Sequence, residues 1–153
     1  MTEGANVAGV TEEWLATAVV KESAEAIVVT DPAGIIRLWN EGAARMFGYS
    51  VEEAIGQNLD IIIPEKLRDR HWKGYFQTMA TGYTRYGDKL LSVPATHRDG
   101  QRLSIEFSVA LLRDGADQIV GISAIMREVS ERRNAERELR AKISELESRV
   151  GPA

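Results

Sequence analysis

The chain has 153 residues, of which 44% are hydrophobic and 27% charged, and its formal net charge is −4. This composition predicts a soluble globular domain with some additional chain, and the acidic balance argues against nucleic acid as the main partner. The absence of cysteine excludes disulfides, thiolate metal sites, thiolate catalysis and a cysteinyl flavin adduct.

The N-terminus is polar and acidic, and residues 1–10 are expected to be disordered. It lacks the basic and apolar regions of a signal peptide, and no run in the sequence approaches the length of a membrane span. We therefore expect a cytoplasmic protein that has no membrane partner.

The first half of the chain predicts a hairpin surrounded by helices. Two β-branched segments, 26–30 and 35–40, flank a turn of sequence DPAG and are expected to pair. Capping residues and C-terminal glycines mark the helices, among them a capping box formed by Ser50 and Glu53. Helices are expected at 11–23, 41–48, 50–56 and 64–82.

After the longest of these helices the hydrophobic period changes from helical to alternating. Three strands joined by two Asp-Gly turns follow. They are expected at 89–97, 102–112 and 119–126. The residues on one face of the middle strand are Leu103, Ile105, Phe107 and Val109. The order of elements along the chain is two strands, several helices and three antiparallel strands. This order predicts an α+β fold in which the helices cover one face of the sheet.

The segment 127–150 differs in character, since it contains no proline or glycine and is dense in glutamate and arginine. Four apolar residues are spaced four, three and four apart, which is a heptad seam. They are Leu139, Ile143, Leu146 and Val150. A single helix cannot bury such a seam, so the pattern predicts a parallel homodimer or a signalling connector. A helix that packs back onto the domain is the alternative.

The sequence therefore predicts three parts. Residues 1–23 comprise a disordered segment and a helix, residues 24–128 form the central domain, and residues 129–153 form a coiled-coil or connector helix. We find no Ser/His/Asp set, no paired carboxylates, no phosphate-binding loop and no zinc-protease motif, and we expect no enzyme activity.

One of only two histidines lies on the longest helix of the predicted central domain. It belongs to a set of four residues, spaced four apart, that share one helix face, and Trp72 and Phe76 are expected to face away from this stripe and to pack on a flank. The four are Leu67, His71, Tyr75 and Met79. The residues alone leave three interpretations of His71: a hydrogen-bonded core group, a surface accident, or a ligand to a metal-bearing cofactor. The other histidine, His97, lies beside a turn and is expected to be exposed.

The segments AIVVTDPAGIIRLWNEGAARMFGYSVEEAIGQNL (26–59) and HRDGQRLSIEFSV (97–109), with LLRDGADQIVGISAIMREVSERR (111–133), resemble the two halves of a PAS domain. The resemblance covers residues 20–133. It implies a five-stranded antiparallel sheet in the order 2-1-5-4-3, with helices on one face enclosing a ligand pocket. An N-terminal helix and a C-terminal coiled-coil helix flank this fold.

The segment IIIPEKLRDRHWKGYFQTMATG (61–82) is similar to the long helix of heme-binding PAS sensors of the rhizobial oxygen-sensor kinase and direct oxygen sensor type. The resemblance implies that His71 is the axial ligand of heme b, which one histidine can hold without cysteine. The residues expected to line the pocket are Leu67, Tyr75, Met79, Leu91, Phe107 and Val109. Arg85 and Lys89 are expected either to pair with heme propionates or to be ordinary surface cations.

Two positions depart from the heme-sensor pattern. Leu91 stands where the oxygen-sensor kinases have an arginine that reaches bound oxygen, and Lys89 stands where the direct oxygen sensors have a methionine ligand. Together with Phe107 and Val109, this implies a dry, apolar pocket. Such a pocket favours carbon monoxide or nitric oxide over oxygen.

The resulting hypothesis is a heme-based sensor of a diatomic gas (O2, CO or NO) or of redox state. Ligand binding would act on the sheet through Phe107 and Val109 and reach the dimer helix through Met126. The recipient would be a separate signalling protein or an output domain of a longer chain. Two alternatives stay open: a cofactor-free dimerisation or interaction module with His71 hydrogen-bonded internally, and a flavin-binding PAS domain.

Overall fold

The computed structural model describes residues 9–84 and 89–151. Its centre is a sheet of five strands: β1 (Ala26–Thr30), β2 (Ile36–Trp39), β3 (Leu91–Thr96), β4 (Arg102–Arg113) and β5 (Ile119–Glu128). Every adjacent pair is antiparallel, and the spatial order is β2-β1-β5-β4-β3. The predicted α+β class and strand order are confirmed. Pro94 lies on β3 at the sheet edge, where a missing backbone donor is tolerated.

The helices lie close to their predicted positions. They are α1 (Glu12–Glu22), α2 (Glu41–Phe47), α3 (Val51–Ala54), α4 (Arg68–Thr81) and α5 (Ser130–Val150). The helix predicted from residue 64 instead begins with a 3₁₀ turn at Glu65–Leu67, and another 3₁₀ turn spans Leu59–Ile62. Most of the segment predicted to be disordered lies outside the described residues. In the part of the chain that the structure describes, no helix has the length and apolar character needed to cross a bilayer.

Local chemistry explains where the short helices begin and end. The Ser50 hydroxyl accepts from the Glu53 backbone N–H, and the Glu53 carboxylate accepts from the Ser50 N–H, so the predicted capping box is present. Gly48 ends α2 in the left-handed conformation, with φ at 83°. These two features turn the chain from α2 into α3 over the first strands of the sheet.

The hydrophobic core fills only one end of the inner sheet face, the face that the helices cover. Val28 and Ile36 are buried there against Phe47 of α2. On β4, Leu103 and Ile105 are buried, but the next two inward residues are only half-buried. The far end of the inner face is therefore apolar and incompletely covered by protein.

Asn40 is a buried polar residue that joins three elements. Its Oδ1 accepts hydrogen bonds from the N–H groups of Ile27 and Ala43, both at 2.9 Å. Its Nδ2 donates to the carbonyls of Val20 at 2.8 Å and Glu25 at 3.1 Å. One amide thus caps α2 and ties β1 to the end of α1.

We expect Asn40→Ala to lower the free energy of unfolding by about 2–4 kcal/mol, because it leaves several partly buried backbone groups without partners. Chemical denaturation monitored by circular dichroism measures the change. Asn58→Ala is the matched control, since the exposed Asn58 side chain caps a 3₁₀ turn through one hydrogen bond, to Asp60 N–H. Equal losses for the two variants would contradict the role of Asn40 as a buried junction.

Candidate cofactor site

Three groups of hydrogen bonds fix α4 over the sheet. At its start, Arg68 Nε donates to the carbonyl of Ile63 at 3.1 Å. In its middle, the Tyr75 hydroxyl donates to the carbonyl of Asp31 in the β1–β2 turn. At its end, Arg113 of β4 donates through Nη2 to the carbonyl of Gly82 at 3.0 Å. The helix that carries His71 is therefore tied to both sides of the domain.

His71 is half-buried, and aromatic rings flank its imidazole. The centroid of the Trp72 ring lies 4.6 Å away with an interplanar angle of 83°, and that of Tyr75 lies 5.8 Å away at 31°. The buried Nδ1 atom of His71 has no hydrogen-bond partner among the described residues. Burial lowers the pKa of His71, although the negative charge of Asp60 acts to raise it. The imidazole is consequently neutral at pH 7, the form that binds metals.

Tyr75 is the buried residue of α4. Besides bonding to Asp31, its hydroxyl oxygen lies 3.0 Å from Oγ1 of the buried Thr30. Burial raises the pKa of Tyr75, and the nearby Asp31 raises it further, against a lowering effect of the Thr30 hydrogen bond. Tyr75 is therefore a neutral phenol engaged in anchoring α4, and His71 remains the better ligand candidate on this helix.

The strands of the sheet carry the other apolar residues predicted for the site. Leu91 of β3 pairs with Phe107 of β4, and Phe107 in turn pairs with Met126 of β5. Leu91, Phe107 and Val109 are half-buried, whereas Met126 is buried. A half-covered apolar wall of this kind fits a flat, largely apolar ligand.

The predicted site residues divide into three groups. His71, Tyr75 and Met79 lie on α4, with Met79 half-buried near its end, and Leu67 packs against the core just before the helix. Leu91, Phe107 and Val109 lie on the strands, and Lys89 is exposed beside β3. Arg85 lies outside the described residues.

His97 is not the exposed residue that its position beside a turn predicted. Its ring is half-buried against Gly48 and its Nδ1 lies 2.9 Å from Oδ1 of Asp99. The α2–α3 corner covers it, a contact between distant parts of the sequence. It is engaged in this corner and belongs to no group with His71.

The residues around His71 fit heme in two respects. The neutral imidazole of His71 on α4 offers Nε2 as a ligand atom while its buried Nδ1 is unpartnered, and an incompletely covered apolar wall lies on the sheet. Within the described residues, no three or more His, Cys, Asp or Glu side chains form a cluster suited to a metal ion. Heme needs no such cluster, because the porphyrin itself supplies the equatorial nitrogen ligands and the protein adds an axial histidine.

Trp72 was expected to pack on a flank of α4, but sequence reasoning did not identify its partners. The indole Nε1–H donates to Oδ1 of Asp60 at 2.6 Å, and the ring lies directly against Gly34. Phe76 stacks on its outer side. The sequence feature that could have indicated this contact is Gly34 of the DPAG turn, since a glycine often marks a place where another group approaches the backbone closely.

This arrangement of sheet and helices matches a known family. The model of the PAS fold matches residues 17–129. The chain belongs to the PAS family. Among solved structures, a PAS domain from Colwellia psychrerythraea is 25% identical, with a TM-score of 0.68, and the match covers 78% of this chain and 98% of that one. An RNA-binding light-oxygen-voltage receptor is 18% identical with a TM-score of 0.66, over 91% of this chain and 39% of that one, and shows the shared fold.

Three relatives of this PAS domain are bacterial proteins. A protein of Azorhizobium caulinodans is 33% identical over 86% of the chain, and the sensor protein FixL of Bradyrhizobium diazoefficiens is 29% identical over 82%. The oxygen sensor protein DosP of Escherichia coli is 28% identical over 62% of the chain. The matches span 18%, 24% and 12% of these relatives' own lengths, in that order.

Proposed function

We propose that this PAS domain is a heme-binding sensor of a diatomic gas or of redox state, with His71 as the axial ligand of heme b. The observation that carries the proposal is the neutral, half-buried imidazole of His71 on α4, which can offer Nε2 to iron, together with a half-covered apolar wall on the sheet. Similarity to FixL and to the oxygen sensor DosP supports it.

The surrounding residues would hold the cofactor by apolar contact. Leu91, Phe107 and Val109 would pack on one side of the ring, while residues of α4 line the other. The remaining lining residues are Leu67, Tyr75 and Met79. Lys89, which is exposed beside β3, would with Arg85 bind the propionates through charge-assisted hydrogen bonds. Bound heme would supply an iron centre for a gas or for an electron.

Strand β4 offers a short path from this site to α5. Phe107 faces the pocket, while its neighbour Glu106 faces the other side of the sheet and forms an ion pair with Arg132 of α5. Beside this pair, the buried Val129 donates through its N–H to the carbonyl of Ser104 at 2.8 Å. A shift of β4 would therefore reach α5 directly, and from there a signalling protein or an output domain.

A homodimer would bury the apolar residues on the exposed side of α5. The side chains of the seam are 47–85% exposed, and α5 has no buried residue. In the heptad frame, Ile143 and Val150 occupy a positions, and Leu139 and Leu146 occupy d positions. β-branched residues at a with leucine at d favour a parallel, two-stranded coiled coil. The occupant we propose is a second copy of this chain.

The charged residues beside the seam also favour a parallel homodimer. Lys142 falls at a g position and Glu147 at the following e position. In a parallel dimer a g residue faces the e residue of the partner's next heptad, so opposite charges would meet across the interface twice. The ion pairs within α5 join Arg132 to Glu136 and Arg149 to Glu145, and they involve neither Lys142 nor Glu147.

Hemin uptake tests the proposed function. Chain expressed with sufficient iron and heme precursor should be red, with a Soret band and a positive pyridine hemochrome assay. Colourless protein that also fails to bind added hemin would refute the proposal. In that case, retained dimerisation through the exposed α5 seam would support the cofactor-free interaction module. Bound flavin, recognised by its absorption and fluorescence, would support the flavin-binding alternative.

Leu91→Arg tests the apolar wall of the proposed pocket. A guanidinium opposite Phe107 would add a hydrogen-bond donor where the wall is apolar. We expect the heme-loaded variant to release oxygen at least about tenfold more slowly, a gain of about 1.4 kcal/mol that one charged hydrogen bond can supply. Carbon monoxide release should change little, because that ligand carries less negative charge. Leu91→Met is the control for size, and stopped-flow spectroscopy measures both rates.

A further inference from the structure

Trp72 is locked between two parts of the chain that are distant in sequence. On one side its indole N–H donates to the Asp60 carboxylate at 2.6 Å. On the other its ring lies against the buried Gly34, so closely that a Cβ atom at that position would overlap the ring. Asp60 is itself held, because its backbone N–H donates to the Asn58 side chain and its carbonyl accepts from Ile63. The indole therefore has a fixed place in the domain.

The imidazole of His71 has no such polar anchor. A histidine that ligates a metal usually donates its second N–H to a carbonyl or carboxylate, which fixes the ring orientation. Among the described residues Nδ1 of His71 has no such partner. Two aromatic rings flank the imidazole: that of Trp72, nearly perpendicular to it with the ring centroids 4.6 Å apart, and that of Tyr75, with the centroids 5.8 Å apart.

We infer that Trp72 is the positioning residue for His71. Its hydrogen bond to Asp60 and its packing against Gly34 replace the usual hydrogen bond to the ligand imidazole. Trp72 sets the rotation of α4 about its axis and holds the edge of the imidazole toward the apolar wall. The inference rests on the proposed function, since it assigns to Trp72 the orientation of the proposed heme ligand.

The test uses the full-length chain and two readouts. Hemin titration gives the affinity and the Soret spectrum, and NMR three-bond couplings of the hemin-free chain give the χ1 rotamer of His71. Trp72→Leu should weaken hemin binding about tenfold to a hundredfold, the usual loss for an orienting partner, and shift the Soret band. It should also change the His71 couplings from those of a single rotamer to those of an average over several rotamers. Phe76→Leu is the control, because Phe76 is 49% exposed and stacks on the outer side of Trp72.

The hydrogen bond to Asp60 is tested by a double-mutant cycle. Asp60→Asn keeps an acceptor oxygen and should bind hemin like the original chain, whereas Asp60→Ala should weaken binding. In a Trp72→Phe background, Asp60→Ala should have a much smaller effect, because the indole donor is already gone and only the interactions of the Asp60 charge with His71 and Arg68 are lost. If Asp60→Ala lowers hemin affinity equally in both backgrounds, Asp60 does not act through its hydrogen bond to Trp72, and this part of the inference is overturned.

The two proposals fail in distinguishable ways. If the original chain binds hemin and Trp72→Leu keeps both its affinity and its spectrum, Trp72 is an ordinary packing residue and the inference is overturned. If the original chain binds no hemin, the proposed function fails. The χ1 rotamer of His71 in the hemin-free chain then decides the positioning role alone, which stands if Trp72→Leu allows several rotamers and falls if the single rotamer is kept.

Discussion

His71→Ala should reduce hemin affinity at least about a hundredfold, because it removes the axial ligand while leaving the apolar wall in place. Residual binding would come from apolar contact alone, and the spectrum should lose its histidine-ligated form. Added imidazole should enter the vacated space and restore part of that spectrum. Hemin titration with and without imidazole measures both effects.

The fold should survive this substitution. His71 is only half-buried and its Nδ1 makes no hydrogen bond, so no buried partner is left unsatisfied when the ring is removed. We expect a loss of about 1–2 kcal/mol in the free energy of unfolding, from lost ring packing alone. His97→Ala is the matched control, since it removes the other histidine and should leave hemin affinity unchanged. Unchanged affinity and spectrum in His71→Ala would contradict the assignment.

Local sequence patterns were sufficient to predict the strands and short helices that surround the site. The strand with alternating Leu103, Ile105, Phe107 and Val109 is long and strongly periodic, so its two faces could be read directly. Capping residues located the starts of α2 and α3 to within one residue, because caps act within four positions along the chain, whereas α3 ends two residues before its predicted end. The strand order came from the PAS resemblance.

The contacts that hold His71 could not be predicted in this way. Helical spacing alone turns Trp72 away from the stripe, yet its ring packs on Gly34, 38 positions earlier in the chain. A helix face spans an arc, and tertiary contacts decide which residues at its edge turn inward. The incomplete cover of Phe107 and Val109 has the same origin, since periodicity gives the direction of a side chain and says nothing of what lies over it.

The structure of α5 determines where along the helix the predicted coiled coil can begin. The heptad frame places Glu136 and Arg132 at the seam positions one and two turns before Leu139. Arg132 pairs with Glu106 on the sheet, and its Nε lies 3.7 Å from Oε1 of Glu136. The first turns of α5 are thereby tied to their own domain. A dimer seam can begin only beyond them, at Leu139.

Substitutions in that seam should separate a dimer without unfolding the domain. The paired changes Ile143→Lys and Leu146→Lys place charges at an a and a d position of each helix. The dissociation constant should rise at least about a hundredfold, or about 3 kcal/mol, because apolar contact is lost and like charges meet. The two residues are 47% and 52% exposed in the single chain, so the domain itself should keep its stability. Ser144→Lys, at an exposed position outside the seam, is the control.

The register of the dimer has its own test. Lys142→Glu should weaken a parallel dimer by facing Glu147 of the partner subunit with a like charge, and Glu147→Lys should do the same with Lys142. The two changes together should restore affinity, since the opposite charges again meet across the interface. Light scattering and sedimentation equilibrium at tens of micromolar protein report the state of each variant. A monomeric original chain under these conditions would contradict the seam, and a dimer in which the double exchange restores nothing would contradict the parallel arrangement.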